Sequence, residues 1–172
     1  YSVNAQNDCF TLSSTQINLL EKPENENSYE ALQKLGLHYF QVSQYGKQPE
    51  EKQKNLAKAL KYFEKAYSNG QNESDFSKTT YYYGLANLKS KNLKLAFNYI
   101  SKSAIKEYLP AMFYLGSFYE NGLGTTIDNK KAEKYYEKVA SQFNPFQAKA
   151  CDRLGRLYYH KLEDNEKSAR WL

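Results

Sequence analysis

Apolar side chains recur along this chain at helical spacing. Leu32, Leu35 and Tyr39 stand at i, i+3 and i+7, and Leu56, Leu60 and Phe63 at i, i+4 and i+7, each set lining one face of a helix. No strand-like alternation is sustained anywhere. Two anchors repeat. A Gly follows a large residue at Leu35-Gly36, Tyr83-Gly84, Leu115-Gly116 and Leu154-Gly155. A small residue precedes an aromatic by three positions in Ala59/Tyr62, Ala96/Tyr99, Ala132/Tyr135 and Ser168/Trp171, at intervals of 37, 36 and 36. A helix-interior Gly costs about 1 kcal/mol relative to Ala. Its recurrence at one register therefore predicts close helix–helix approach, with the paired aromatic (Tyr62, Tyr99, Tyr135) filling the adjacent space and Tyr39 and Tyr119 also in the core. A single helix–turn–helix unit cannot bury its apolar face alone, whereas stacked units can.

Breakers and caps divide the copies. Gly122 and Gly124 end the first helix of the third copy, and Asp128 is placed to cap the next. Asn144 before Pro145 predicts a helix start with a first-turn proline. The first copy carries an insert, SQYGKQPEEKQKN, between its helices. The second has only LKSKNLK there, and the fourth HKLEDNEK, after which the chain stops at Trp171-Leu172 inside a second helix. That stop implies either a trimmed chain or an end that meets a partner or a second copy. Ahead of the repeats, SSTQINLLEK predicts a short helix capped by Ser13 or Ser14, and KPENENS a linker. This segment either packs against the first repeat or stays mobile.

Composition narrows the function classes. The 172 residues are 41% hydrophobic and 25% charged, with no apolar run long enough to span a membrane. The net charge of +5 comes almost wholly from Lys: of 24 basic residues only Arg153, Arg156 and Arg170 are Arg. The lysines are spread among Glu and Asp, so the balance reads as a solvated surface and argues against a nucleic-acid partner. Seventeen Tyr call for an explanation by packing, binding or both. The Lys-, Asn- and Tyr-rich, Arg-poor make-up suggests an AT-rich bacterial genome. Together with Tyr1 at the start, it favours an exported, periplasmic protein whose signal peptide has been removed; the alternative is cytoplasmic.

Candidate chemistry is sparse. His38 and His160 sit in no metal or catalytic spacing, and there is no nucleophile elbow or P-loop. Gly122-Leu123-Gly124 is explained by the repeat. No catalytic residue, metal site or cofactor is expected, and the chain reads as a non-enzyme. Cys9 and Cys151 form an even pair that an oxidising compartment would permit to bond. The alternative is two thiols, one partly buried in a helix.

The copy at Ala111 resembles the Sel1-like repeat (SLR), a relative of the tetratricopeptide repeat. It carries Ala111, Leu115, Gly116, Tyr119, Gly122, Gly124, Asp128, Lys131, Ala132, Tyr135, Lys138 and Ala140 in that family's pattern. The resemblance implies an all-α, right-handed α-solenoid of antiparallel helix pairs, about three and a half to four repeats, over residues 29–172. The repeats run at about 29–72, 75–108, 109–143 and 144–172, after an extension and linker at 1–28. It also implies a concave face that binds a protein. By resemblance to the tetratricopeptide fold, that face takes residues from the first helices at offsets −3, +1 and +4 from the anchor Gly. The −3 row is Gln33, Tyr81, Phe113 and Asp152. The +1 row is Leu37, Leu85, Ser117 and Arg156. The +4 row is Phe40, Leu88, Glu120 and Tyr159. The face would be apolar and aromatic in its middle and charged toward the C-terminal end. The expected function is a protein-binding adaptor of the bacterial envelope. The alternative is an immunity protein that neutralises a toxic effector of a secretion system, such as type VI, by direct binding. The expected partner is accordingly an envelope or secretion-system protein, or the cognate toxin.

Overall fold

The structure, a computed structural model, describes residues 11–161 and 163–171. Among them there is no strand. The helices are α1 (Ser14–Leu20), α2 (Tyr29–Tyr45), α3 (Pro49–Asn69), α4 (Phe76–Lys89), α5 (Leu93–Ile105), α6 (Leu109–Asn121), α7 (Asn129–Ala140), α8 (Gln147–His160) and α9 (Asn165–Trp171). Antiparallel helix pairs of the α-solenoid class are therefore the building units. No described helix is long and apolar enough to cross a membrane. The chain forms two compact units, which divide between Ala86 and Asn87, inside α4.

In the first unit, α2 and α3 form a hairpin whose core joins Leu32, Leu35 and Phe40 to Leu56, Ala59 and Phe63. The Phe63 ring lies where a β-carbon on Gly36 would stand: such an atom would be 2.7 Å from it. The second unit repeats this with Tyr136 against Gly116, again at 2.7 Å. These contacts correct the anchor register. The ring that fills the space beside the Gly comes four residues after the small residue, not three. Ala59 leads to the buried Phe63 and Ala132 to the buried Tyr136. Tyr62 and Tyr135 are half-buried instead and stack on Tyr39 and Tyr119. A helix advances about 100° per residue, so a one-residue shift carries a side chain from the hairpin interior to its edge.

Most of the insert in the first copy is helix. α3 begins at Pro49, where proline is favoured at a first helical position and Glu50 and Glu51 complement the N-terminal dipole. Asn144 does not cap α8. Its Oδ1 accepts from the Phe146 N–H at 2.8 Å, closing a side-chain turn, and the helix starts at Gln147. The Asp128 cap lies where the pattern puts it, and Asp164 makes a matching one that the pattern did not single out. Asp128 accepts from the Lys131 N–H at 3.0 Å, and Asp164 from the Lys167 N–H at 2.9 Å. Gly122 ends α6 in the left-handed region with φ 66°. In the second and fourth copies, Lys91 (φ 64°) and Glu163 (φ 52°) make the corresponding turns without glycine.

The segment before the repeats packs against the first hairpin. Ser13 caps α1 in a reciprocal capping box with Gln16. The Leu12 N–H donates to His38 Nδ1 at 3.0 Å, and Asn69 Nδ2 donates to the Asn27 carbonyl at 3.1 Å. Ser28 then caps α2.

Candidate protein-binding faces

The twelve residues expected on the concave face divide by unit. In the first, Gln33 is 8% exposed, Phe40 6%, Tyr81 5% and Leu85 3%, while Leu37 is half-buried. The Gln33 side-chain amide donates to Asp75 Oδ2 and Thr79 Oγ1, both at 2.6 Å, beside the Tyr29 hydroxyl, which itself donates to Asp75 Oδ1 at 2.8 Å. Burial pushes the Tyr29 hydroxyl pKa well up, so it stays a donor. The Tyr29 ring also fills the space beside Gly70. Phe40 meets Phe63 and Tyr82 edge-on, with centroids 6.4 and 6.1 Å apart. These groups are engaged in holding α2, α3 and the start of α4 together.

The second unit is more open. Leu88, Phe113, Ser117 and Glu120 are half-buried, and Asp152, Arg156 and Tyr159 are exposed, Tyr159 at 58%. Phe113 on α6 sits among Tyr136 (5.6 Å) and Phe146 (5.3 Å), so its ring is fixed by neighbours. Glu120 accepts from the Tyr136 hydroxyl at 2.7 Å and pairs with Arg153 on α8 at 3.7 Å. The Tyr136 pKa is driven far up, first by burial and then by the Glu120 charge. One turn along α8, Arg156 Nε donates to Asp152 Oδ1 at 3.0 Å. The Glu120–Arg153 pair thus ties α6, with its anchored aromatic, to α8, with its exposed tyrosine.

A second arrangement escaped the sequence reading. Tyr39 and Tyr62 stack at 5.6 Å with planes 5° apart, and Lys58 Nζ lies 4.4 Å from the Tyr39 ring centre. Both hydroxyls donate to Glu21 Oε1, at 3.0 and 2.8 Å. In the third copy Tyr119 and Tyr135 stack at 6.0 Å with planes 6° apart, and Lys131 lies 5.1 Å over Tyr119. The signal for it was the lysine that precedes the small anchor at Lys58, Lys131 and Lys167.

Among the described residues no three His, Cys, Asp or Glu side chains converge as metal ligands would. His38 is buried and accepts from backbone, and its pKa is lowered, first by burial and then by the Lys58 charge. Cys151 is a half-buried thiol on α8; Cys9, the other half of the expected disulfide, lies outside the described residues. A cleft of about 370 Å³ lies between α7, α8 and α9, lined by Glu137, Tyr158, Lys167, Arg170 and Trp171.

Comparison with known proteins agrees with the repeat geometry. A 51-residue stretch is 33% identical to a Schizosaccharomyces pombe protein named as a candidate ERAD-associated E3 ubiquitin-protein ligase component, covering 30% of this chain and 7% of that one. An SLR-fold protective antigen present in uropathogenic Escherichia coli strains superposes over 90% of this chain and 32% of its own, with TM-score 0.66 and 21% identity. A Sel1 repeat protein from Oxalobacter formigenes superposes over 90% of this chain and 60% of its own, with TM-score 0.60 and 23% identity. The chain therefore spans only part of each of these relatives. The Sel1 repeat model matches residues 30–71, 80–108, 109–142 and 148–172, one match for each pair of anchors, so the chain belongs to the Sel1 repeat family.

Proposed function

We propose that this chain is a non-enzymatic protein-binding module that takes its partner on the α6–α8 face. The observation that carries the reading is one surface. α6 carries the immobilised Phe113 ring and Glu120, the Glu120–Arg153 pair ties it to α8, and α8 carries the Asp152–Arg156 pair and the exposed Tyr159. An aromatic anchor with a charged rim is the composition of a protein-binding hot spot. Sel1 repeat proteins are generally protein-interaction scaffolds, which supports the same reading.

The proposed partner is an envelope or secretion-system protein, and the proposed compartment is the periplasm. The Lys-rich, Arg-poor composition supports a bacterial source. The test is affinity capture from the source organism's soluble and envelope extracts. The control bait is an Asp152→Lys, Tyr159→Ala variant, which alters only exposed side chains. One dominant protein captured by the native chain and lost with the variant is the expected result. Its identity separates a resident scaffold partner from a toxin that this chain neutralises. Equal capture by both baits rejects the α6–α8 face.

A further inference from the structure

The stacked tyrosine pair of the first hairpin shows what such a pair binds. Glu21 accepts a hydrogen bond from both hydroxyls, and five residues on, Glu26 pairs with Lys65 on α3 at 2.9 Å. The carboxylates come from a segment that runs over the hairpin edge between α1 and α2. Hydroxyls converging on a carboxylate form charge-assisted bonds, stronger than neutral ones.

The third copy carries the same groups in the same register. Tyr119 and Tyr135 match Tyr39 and Tyr62, Lys131 matches Lys58, and Lys138 matches Lys65. Here the hydroxyls of Tyr119 and Tyr135 have no hydrogen-bond partner among the described residues. Burial and the neighbouring Tyr119 raise the Tyr135 pKa, so its hydroxyl remains a donor. The Phe97 ring of α5 meets Tyr119 edge-on at 5.6 Å and covers one side of the pair. Lys131 is tied to Asp128 at 3.2 Å, but Lys130, Lys134 and Lys138 are exposed, with no ion pair among the described residues.

The fourth copy shows how the preceding helix can supply the acceptor. The Tyr158 hydroxyl donates to Glu133 and, at 3.2 Å, to Glu137 of α7, five residues after the small anchor Ala132. Five residues after the corresponding Ala96 on α5 stands Ser101, whose hydroxyl is buried without a partner. The third copy thus has the donors of its neighbours and the lysines, but among the described residues no carboxylate meets its two hydroxyls.

We propose that the Tyr119–Tyr135 pair and Lys138 form a second docking site, which takes an acidic segment of a partner protein presenting two carboxylates about five residues apart. The first carboxylate accepts from the two hydroxyls and the second pairs with Lys138. The site uses none of the groups on the α6–α8 face, so the two stand or fall separately.

The probe is a fluorescently labelled synthetic peptide with the sequence of residues 11–28, titrated against the full chain by anisotropy. We expect saturable binding that weakens at least fivefold between 50 and 300 mM salt (estimates from screening of exposed charges, at roughly 10 Å in 0.1 M salt). Binding weakens about fivefold or more in a Tyr119→Phe, Tyr135→Phe variant and in Lys138→Gln, and about tenfold with a Glu21→Gln, Glu26→Gln peptide, as lost charge-assisted bonds require. The phenylalanine variant keeps both rings, and an unchanged melting curve confirms that it folds. If it does not fold, Lys138→Gln and the peptide variant decide alone. No saturable binding, or equal binding by the variants and the Gln peptide, overturns the proposal. Concentration-dependent self-association without peptide, abolished by the phenylalanine variant, also overturns it, because the occupant is then a second copy of this chain.

Discussion

Gly116 has no room to grow. A β-carbon there would meet the Tyr136 ring at 2.7 Å, inside van der Waals contact. Alanine gains about 1 kcal/mol of helix propensity, while overpacking a fixed core costs about 1–3 kcal/mol. Because Tyr136 is fully buried and its hydroxyl is held by Glu120, the ring cannot swing aside, and the overpacking term wins. Gly116→Ala is therefore expected to lower stability by up to about 2 kcal/mol net, read as the shift in a urea unfolding midpoint. His38 gives a pH signature. Its folded pKa lies below the ordinary 6.5 because burial and Lys58 disfavour the imidazolium, with Glu21 opposing weakly. The folded state thus binds fewer protons than the unfolded one. This contribution is fully present above pH 6.5 and is lost as the pH falls through the folded pKa. Melting temperatures at pH 7.5 and 5 should converge more closely in His38→Phe than in the native chain. An identical pH dependence in both would mean that other groups dominate.

At the scale of the helix pair, the turns between helices decide local stability. Lys91 ends the α4–α5 connection at φ 64°, a conformation in which a side chain with a β-carbon costs about 1–2 kcal/mol. Lys91→Gly removes that strain and should raise stability by about 0.5–1 kcal/mol after the added unfolded-state entropy, measured as a higher melting temperature. Gly124→Ala should do the opposite, since its φ is 70° and a β-carbon would stand 2.2 Å from the Leu93 carbonyl oxygen. The helix pairs themselves were legible in the sequence, because their apolar residues recur at helical spacing and their caps are chemically distinct. The register of the aromatic was not. YF at 62–63 and YY at 135–136 offer two adjacent rings, and only the three-dimensional position of Gly36 or Gly116 selects which one enters the hairpin. The start of α3 is hidden in the sequence for a related reason. A Lys- and Glu-rich stretch reads as a loop, yet those residues are good helix formers and Pro49 opens a helix well.

At the scale of the molecule, the two units set the expected pattern of opening. Helices that share a core exchange their amide hydrogens together, so a perturbation should stay within its own unit. Gly116→Ala is expected to reduce hydrogen-exchange protection in α6 and α7 several-fold more than in α2 and α3, read by mass spectrometry of peptic fragments. The family was legible in the spacing of small residues. The candidate faces were legible only in part, because fixed offsets from an anchor say where a side chain starts and not what it meets. Gln33 and Glu120 both stand at offsets expected to face a partner, and both are bound to neighbours within their own unit. The carboxylates that reach the tyrosine pairs left no trace in the repeat pattern, since Glu21 and Glu26 lie before the first repeat. The lengthened first hairpin has a practical use. α2 and α3 run to 17 and 21 residues, against 13 and 12 for α6 and α7, and residues 47–51 at their junction are all exposed. A fluorophore or an epitope tag spliced at Lys47–Gln48 would extend an exposed turn and leave the buried contacts of α2 with α3 as they are.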